Sequence, residues 1–238
     1  VFTRLVVMRT YNVVVSGFEP FDNEATNPSG DVASLLSSDD IANRLQELTG
    51  AQINIRSTVL PLSFDKAWPT LERTLKEMTP DIIVAFGLKH SARGVNLERC
   101  AINLIDADKP DAYNVQPRKV AVSKDGPAAF WTKLPLRRII QTFSTSQIPA
   151  TLSSDAGTYV CNALFYQLMA WCAHTPDVLA GFVSLPTVNE TQRTQKGLPL
   201  KEMVEAGVQV IAQTAGYFTQ VDIQDQLVLS DTDEAGAQ

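Results

Sequence analysis

Short apolar segments alternate along the chain with longer segments in which apolar residues recur at helical spacing. Residues 81–86, DIIVAF, form a near-continuous apolar run that ends at a glycine, as in a strand buried on both faces. Alternating and β-branched runs predict further strands over 11–16, 52–60, 150–152 and 179–185. Helical spacing predicts helices over 64–78, 136–143 and 159–172, a helix beginning over 31–36, and one apolar helix face over 200–215.

The alternation of strands and helices predicts an α/β fold, a single-domain α/β/α sandwich with a mostly parallel, twisted central sheet. Residues 11–217 are assigned to this domain, 1–10 to an N-terminal extension and 218–238 to an acidic C-terminal tail. In such folds the site lies at the carboxyl ends of the strands. Four segments are therefore expected to meet: residues 17–29, the loop after 86, the turn before 159, and the residues after 183.

Charge and composition narrow the classes of partner. Seven acidic residues and no Lys or Arg follow Lys201, which argues against a nucleic-acid partner and predicts a solvated, partly disordered tail over the last dozen residues. No apolar run has the length of a membrane span, and Arg4 and Arg9 interrupt any signal-peptide core, so a cytoplasmic protein with no membrane partner is expected. Three cysteines without metal-type spacing predict no disulfide framework and no zinc site, and no cofactor is expected.

Cys161 stands in the first turn of the helix predicted after Gly157 and Thr158. Unpaired amide groups at a helix N-terminus lower the pKa of a thiol and can hold an oxyanion, so this position suits a cysteine nucleophile with a depressed pKa. Taken alone, a cysteine at this spacing is more often a buried structural residue. A structural role is also expected for Cys172, which follows Trp171 near the end of the same helix.

Five longer segments carry a more specific signal, and they read SGFEPFDNEATNPS, NLERCAINLIDADKPD, GPAAFWTKLPLRRI, DAGTYVCNALFYQLM and AGFVSLP. In their order and spacing they resemble the pyroglutamyl peptidase I family, cysteine peptidases that remove N-terminal pyroglutamate. The resemblance covers roughly residues 11–215. It implies an α/β/α sandwich, a small peptide or lactam substrate, and assembly into a homo-oligomer, either a dimer or a tetramer.

The resemblance also implies roles for individual residues. Cys161 falls at the position of the nucleophile and Glu98 at that of the family's catalytic glutamate. The substrate-binding positions fall on Phe18 and Phe21, which would flank the lactam ring, and on Asn27, Tyr159 and Val160. Without the resemblance, the two phenylalanines would more often be core residues, Glu98 a solvated acid, and Asn27 a turn or cap residue.

Two positions depart from the family pattern. Ser184 stands where the family histidine is expected, and a serine is no base near neutral pH. Asp108 stands where the family has an arginine, and the adjacent Lys109 is expected to point the other way. His90 lies at the correct edge of the sheet to be a substitute base, although a solvated loop histidine is the simpler interpretation. His174 is expected at the far end of the sheet.

Three hypotheses follow. The chain is an active pyroglutamyl peptidase with a rearranged dyad, for example Cys161 with His90. Alternatively, it hydrolyses a different amide on the same scaffold. As a third hypothesis, it is a non-catalytic member that binds a lactam, a pyroglutamyl peptide or another protein.

Overall fold

The computed structural model describes residues 8–22, 24–190 and 196–234. Six strands form one sheet: β1 (Thr10–Phe18), β2 (Gln52–Leu60), β3 (Ile82–Leu88), β4 (Val95–Glu98), β7 (Ala150–Ser153) and β8 (Leu179–Leu185). Their order in the sheet is β2-β1-β3-β8-β4-β7. A separate antiparallel pair is formed by β5 (Cys100–Ile102) and β6 (Ala129–Trp131).

Helices cover both faces of the sheet. They are α1 (Pro28–Leu36), α2 (Asp39–Thr49), α3 (Ala67–Met78), α4 (Leu136–Thr145), α5 (Val160–Cys172) and α6 (Leu200–Glu234). One apolar core lies between the sheet and α1, α2, α4 and α6, and a second lies between the sheet and α3 and α5. The predicted α/β/α sandwich is therefore confirmed.

The sheet is mostly parallel, as predicted. β2, β1, β3 and β8 run in one direction, whereas β4 is antiparallel to β8 and parallel to β7. The central strand β3 is buried along nearly its whole length because helices cover both of its faces, which explains the continuous apolar run at 81–86.

Several boundaries differ from the predicted ones. The strands at 52–60 and 179–185 lie where they were predicted, whereas β1 continues past its glycine to Phe18 and α1 begins at Pro28, capped by the side chain of Asn27. The pattern did not predict α2, in which Leu45 is the one buried residue. It also treated 87–125 as irregular, but this stretch contains β4 and β5, which are only four and three residues long.

The C-terminal helix extends beyond the boundary of the predicted domain. The backbone of α6 continues as a helix to Glu234, past residue 217. Residues 1–7 of the predicted N-terminal extension and residues 235–238 lie outside the described residues. Within the described part of the chain, no helix combines the length and apolar character needed to cross a membrane.

A close approach of backbones joins β1 to α1 at Gly17. A Cβ atom at this position would lie 2.0 Å from the carbonyl oxygen of Ser29. The Ser29 hydroxyl also accepts a hydrogen bond from the amide of Phe18, 3.0 Å away. Only a glycine lets the two segments meet, and this contact holds the loop that follows β1 against the sheet.

Substitution Gly17→Ala is therefore expected to lower the free energy of unfolding by about 2 kcal/mol or more, because the new methyl group meets backbone atoms that cannot rotate away. Urea unfolding measures the change. Gly216→Ala is the matched control, since its Cβ would meet only the guanidinium end of the long Arg138 side chain, at 2.9 Å. Equal losses in the two variants would contradict the account.

Candidate active site

The loop before α5 fixes the start of that helix. Gly157 has a positive φ of 77°, and its amide donates to Oδ1 of Asp155 at 2.9 Å. The hydroxyl of Thr158 donates to the carbonyl of Asp106, and the hydroxyl of Tyr159 donates to the carbonyl of Pro110, each at 2.9 Å. These bonds tie the beginning of α5 to the segment that follows β5.

Cys161 is the second residue of α5, as predicted. Its sulfur lies against β3. A Cβ atom added at Gly87 of this strand would be 2.9 Å from Sγ. Gly87 is paired in the sheet with Ser184 of β8. The thiol therefore lies over the strand that neighbours the position where a histidine was expected.

Glu98, at the end of β4, has a fully buried side chain. The Ser184 hydroxyl donates to its Oε1 at 2.7 Å, and the Lys89 ammonium lies 3.9 Å from the same oxygen. Its second oxygen, Oε2, is buried and has no hydrogen-bond partner among the described residues. Burial raises the pKa of Glu98, although nearby serine hydroxyls and Lys89 offset part of the rise.

The Cys161 thiol differs from the expected activated thiol. Burial, together with the nearby negative charge of Glu98, raises the pKa of Cys161 to about 12, and the opposing effects of its own backbone amide and of Lys89 are smaller. The expectation of a depressed pKa is therefore wrong. The thiol is protonated at neutral pH, so attack requires a group that removes its proton.

Cys161 opens onto a pocket of about 110 Å³ at the carboxyl end of the parallel strands. Phe18, Phe21, Asn27 and Tyr159 line it with Cys161, so four of the five predicted substrate-binding residues lie together. The fifth, Val160, is buried in the core between the sheet and α3 and α5, and does not line the pocket.

Both histidines lie where the sequence placed them. His90 is exposed and lines the mouth of the pocket after β3. His174 is an exposed residue beyond the C-terminal end of α5, opposite to the Cys161 end. Of the two, His90 alone lies at the candidate site.

The orientation predicted for Lys109 is wrong. Lys109 lines the pocket, forms an ion pair with Asp22 at 2.6 Å, and lies 4.9 Å from the ring centroid of Phe21. Asp108 is exposed and is not among the pocket residues. The two neighbours do differ in direction, but Lys109 and not Asp108 faces the pocket, because this segment lies outside any strand and its orientation cannot be set from strand alternation.

Other pocket residues were not predicted. Leu62 and Leu88 line the pocket, as do the polar residues Asp22, Glu24 and Thr26 of the loop after β1. The two leucines lie near the carboxyl ends of β2 and β3. Because sites in such folds lie at these strand ends, the two residues could have been identified from the predicted strands. No cluster of His, Cys, Asp and Glu suited to a metal ion occurs in the described part of the chain.

Comparisons with known proteins place the chain among peptidases. The family model described as pyroglutamyl peptidase matches residues 11–218. The chain is 36% identical over 209 residues to the pyrrolidone-carboxylate peptidase of Bacillus subtilis (strain 168), with 87% of this chain and 93% of that protein covered. The chain belongs to the pyroglutamyl peptidase family.

Further members of the pyroglutamyl peptidase family match over similar lengths. The pyrrolidone-carboxylate peptidase of Pseudomonas fluorescens is 35% identical, with 90% of this chain and 96% of that protein covered. The crystal structure of Bacillus amyloliquefaciens pyroglutamyl peptidase I superposes with a TM-score of 0.78 at 34% identity, covering 86% of this chain and 97% of the other. The pyrrolidone carboxyl peptidase from Thermococcus litoralis gives a TM-score of 0.80 at 28% identity, over 88% and 96% of the two chains.

The buried carboxyl of Glu98 predicts an unusual pH dependence of stability. Because its pKa is higher in the folded than in the unfolded protein, the unfolded state loses this proton first as the pH rises above about 4.5. Glu98 therefore makes the free energy of unfolding fall with rising pH above that value. Glu98→Gln is expected to remove this contribution, and urea unfolding at pH 5, 6 and 7 measures it.

Glu77→Gln is the control, because it removes one negative charge from an exposed position on α3. The difference in free energy of unfolding between Glu98→Gln and the wild type should grow with pH in favour of the variant. A constant difference across the three pH values would contradict the burial argument.

Proposed function

We propose that the chain is a cysteine peptidase that removes N-terminal pyroglutamate from peptides, with Cys161 as its nucleophile. The observation that carries the proposal is the position of the Cys161 sulfur, which faces a pocket lined by Phe18 and Phe21 and lies beside the Glu98–Ser184 pair. Membership of the pyroglutamyl peptidase family supports the substrate class.

The pocket suits a small cyclic amide. Aromatic faces from Phe18 and Phe21 offer apolar surface to a lactam ring, and the nearby polar groups can orient its amide. Asn27 has both ends of its side-chain amide engaged: its oxygen accepts from Ser29, and its nitrogen donates to the carbonyl of Glu19 at 3.1 Å. Its proposed role is to hold the loop that carries the two rings.

The first half-reaction needs an acceptor for the thiol proton. We assign this role to Glu98, whose raised pKa makes it a stronger base than an ordinary carboxylate. Ser184 relays the proton: its hydroxyl hydrogen passes to Oε1 of Glu98 while its oxygen takes the hydrogen of Cys161. The thiolate then attacks the carbonyl carbon of the scissile amide, and the resulting oxyanion lies near the amide groups at the start of α5.

Collapse of this intermediate breaks the C–N bond. The leaving amine takes back the proton from Glu98 through Ser184, and a thioester joins the pyroglutamyl group to Sγ. In the second half-reaction a water molecule gives a proton to Glu98 by the same route, and its oxygen attacks the thioester. Pyroglutamate leaves, and the proton returns to the Cys161 sulfur, so the site is restored.

A second candidate function is supported by two features of this site, the raised pKa of the Cys161 thiol and the serine at position 184. A thiol with a pKa of about 12 and a serine at the histidine position favour a slow or repurposed member that binds a lactam or pyroglutamyl ligand, or hydrolyses a different amide. In this case the pocket is retained for binding and the peptidase rate is lost.

Hydrolysis of a fluorogenic pyroglutamyl amide separates the two candidates. We expect turnover by the wild type that falls by a factor of about 10³ or more in Cys161→Ala. Ser184→Ala should lower kcat by about tenfold or more with little change in KM, because it removes the relay and leaves the pocket unaltered. Ser184→His should raise kcat/KM by a factor of about 10² or more at pH 7, since an imidazole is a far better base than a hydroxyl.

Absence of turnover by the wild type together with activity in Ser184→His would support the second candidate. Absence of turnover in both proteins would overturn the peptidase proposal. Retention of full activity in Ser184→Ala would overturn the relay.

The histidines provide a separate test of the base. If Glu98 accepts the proton, His90→Ala should retain kcat within about threefold of the wild type, because the exposed imidazole is then only part of the pocket mouth. His174→Ala is the matched control at the remote end of α5. A selective loss of about 10² or more in His90→Ala would instead assign the base to His90.

A further inference from the structure

Lys89 lies beside the candidate nucleophile, and neither the site residues predicted from the sequence nor the mechanism above uses it. It directly follows β3, and its amide donates to the carbonyl of Leu185 at 2.8 Å, so sheet pairing continues through this residue. Its side chain is 24% exposed, although lysines are among the residues found mostly at the surface.

Strand geometry turns Lys89 toward the thiol. Side chains two residues apart in a strand lie on the same face of the sheet. Gly87 faces the sulfur of Cys161, and Lys89 is two residues further along the same strand and its extension. The lysine therefore projects on the side of the sheet where α5 begins.

The ammonium group of Lys89 connects two parts of the site. It donates a hydrogen bond to the backbone carbonyl of Asp155, in the loop that leads into α5. It also lies 3.9 Å from Oε1 of Glu98, the oxygen to which Ser184 donates. In the described part of the chain, this is the one ion pair of the buried Glu98 carboxylate.

We propose that Lys89 supplies the positive charge that pairs with Cys161 and Glu98 during proton transfer, a charge that a histidine at position 184 would otherwise provide. Before the transfer, the negative charge is on Glu98, and afterwards it is on the sulfur. One cation near both positions keeps the charge paired throughout. Lys89 is thus a positioning residue that acts through the other two, and its catalytic importance rests on the proposed function.

The thiolate part of this proposal can be tested without substrate. The rate at which iodoacetamide alkylates Cys161, followed by peptide mass spectrometry, reports the thiolate fraction as the pH is raised. In Lys89→Gln, which keeps a hydrogen-bond donor but removes the charge, we expect alkylation about tenfold slower at a given pH, with the profile displaced upward by about one unit. Lys89→Arg should restore most of the rate.

The wild type, Lys89→Gln and Lys89→Arg have the same other charged groups near the Cys161 sulfur. Glu98 faces it from β4 and Tyr159 precedes it on the chain, and the pocket mouth carries Asp22, Glu24, His90 and Lys109. Lys133→Gln is the matched control. Its ammonium also donates to backbone carbonyls at an end of α5, those of Cys172 at 2.8 Å and Thr175 at 3.2 Å, but this is the end remote from Cys161.

A lysine that only neutralises buried Glu98 is distinguished by a second pair of variants. In Glu98→Gln there is no carboxylate to neutralise, so adding Lys89→Gln should still slow alkylation several-fold if the cation stabilises the thiolate. An unchanged profile in that double variant, or an equal displacement in Lys133→Gln, would overturn the proposal. If the single Lys89→Gln variant fails to fold, the comparison of Glu98→Gln with the double variant still tests the proposal.

Measurement of peptidase activity on the same proteins keeps the two proposals separable. A displaced alkylation profile in a protein without pyroglutamyl hydrolysis would support the charge assignment and contradict the proposed function. An active wild type whose alkylation profile is insensitive to Lys89 would support the function and contradict the charge assignment.

Discussion

The buried carboxylate of Glu98, placed close to the half-buried thiol of Cys161, is the constraint on which the site depends. A negative charge in that position opposes ionisation of Cys161, and burial opposes ionisation of both groups. The site therefore holds its thiol protonated, and the Glu98 oxygen that accepts the Ser184 hydrogen bond is the proton acceptor in the proposed mechanism. In the proposed mechanism the hydroxyl of Ser184, which donates to Glu98 at 2.7 Å, relays the proton between them.

The surrounding fold holds these groups at a cost in stability. A buried carboxylate oxygen without a hydrogen-bond partner is unfavourable. Among the described residues Oε2 of Glu98 has none, and it is held there because β4 and β8 fix the backbone on both sides of the Glu98–Ser184 pair. Gly87 contributes by its lack of a side chain, since any Cβ would press on Phe182 and on the sulfur. Such local losses are typical of functional sites, where chemistry requires groups that a stable core would exclude.

Much of the architecture was predictable from the sequence, because apolar residues recur at different spacings in strands and in amphipathic helices. The strand at 52–60 and the helix ending at Met78 show this directly. The helix α2 was missed because its pattern is largely polar, with Leu45 alone buried, and the strands β4 and β5 are too short to display a period.

The sequence was enough to predict which residues lie together in the candidate site, but not how the site changes their pKa values. Topology brings the loop after β1 to the start of α5, so Phe18 and Cys161 could be placed together from sequence. The direction of the thiol pKa could not, because it depends on how closely Glu98 approaches and on how much water is excluded. The ion pair of Lys109 with Asp22 was also inaccessible, since it joins residues 87 positions apart through irregular loops.

The central claim is that Cys161 forms a covalent acyl intermediate without a histidine at position 184. Rapid acid quenching of the protein during turnover of a pyroglutamyl ester, followed by mass spectrometry of its peptides, tests this directly. The account predicts one pyroglutamyl group on the peptide that contains Cys161, and none on that peptide in Cys161→Ala. Hydrolysis of the ester with no such adduct, or with the adduct on Cys100, would contradict it.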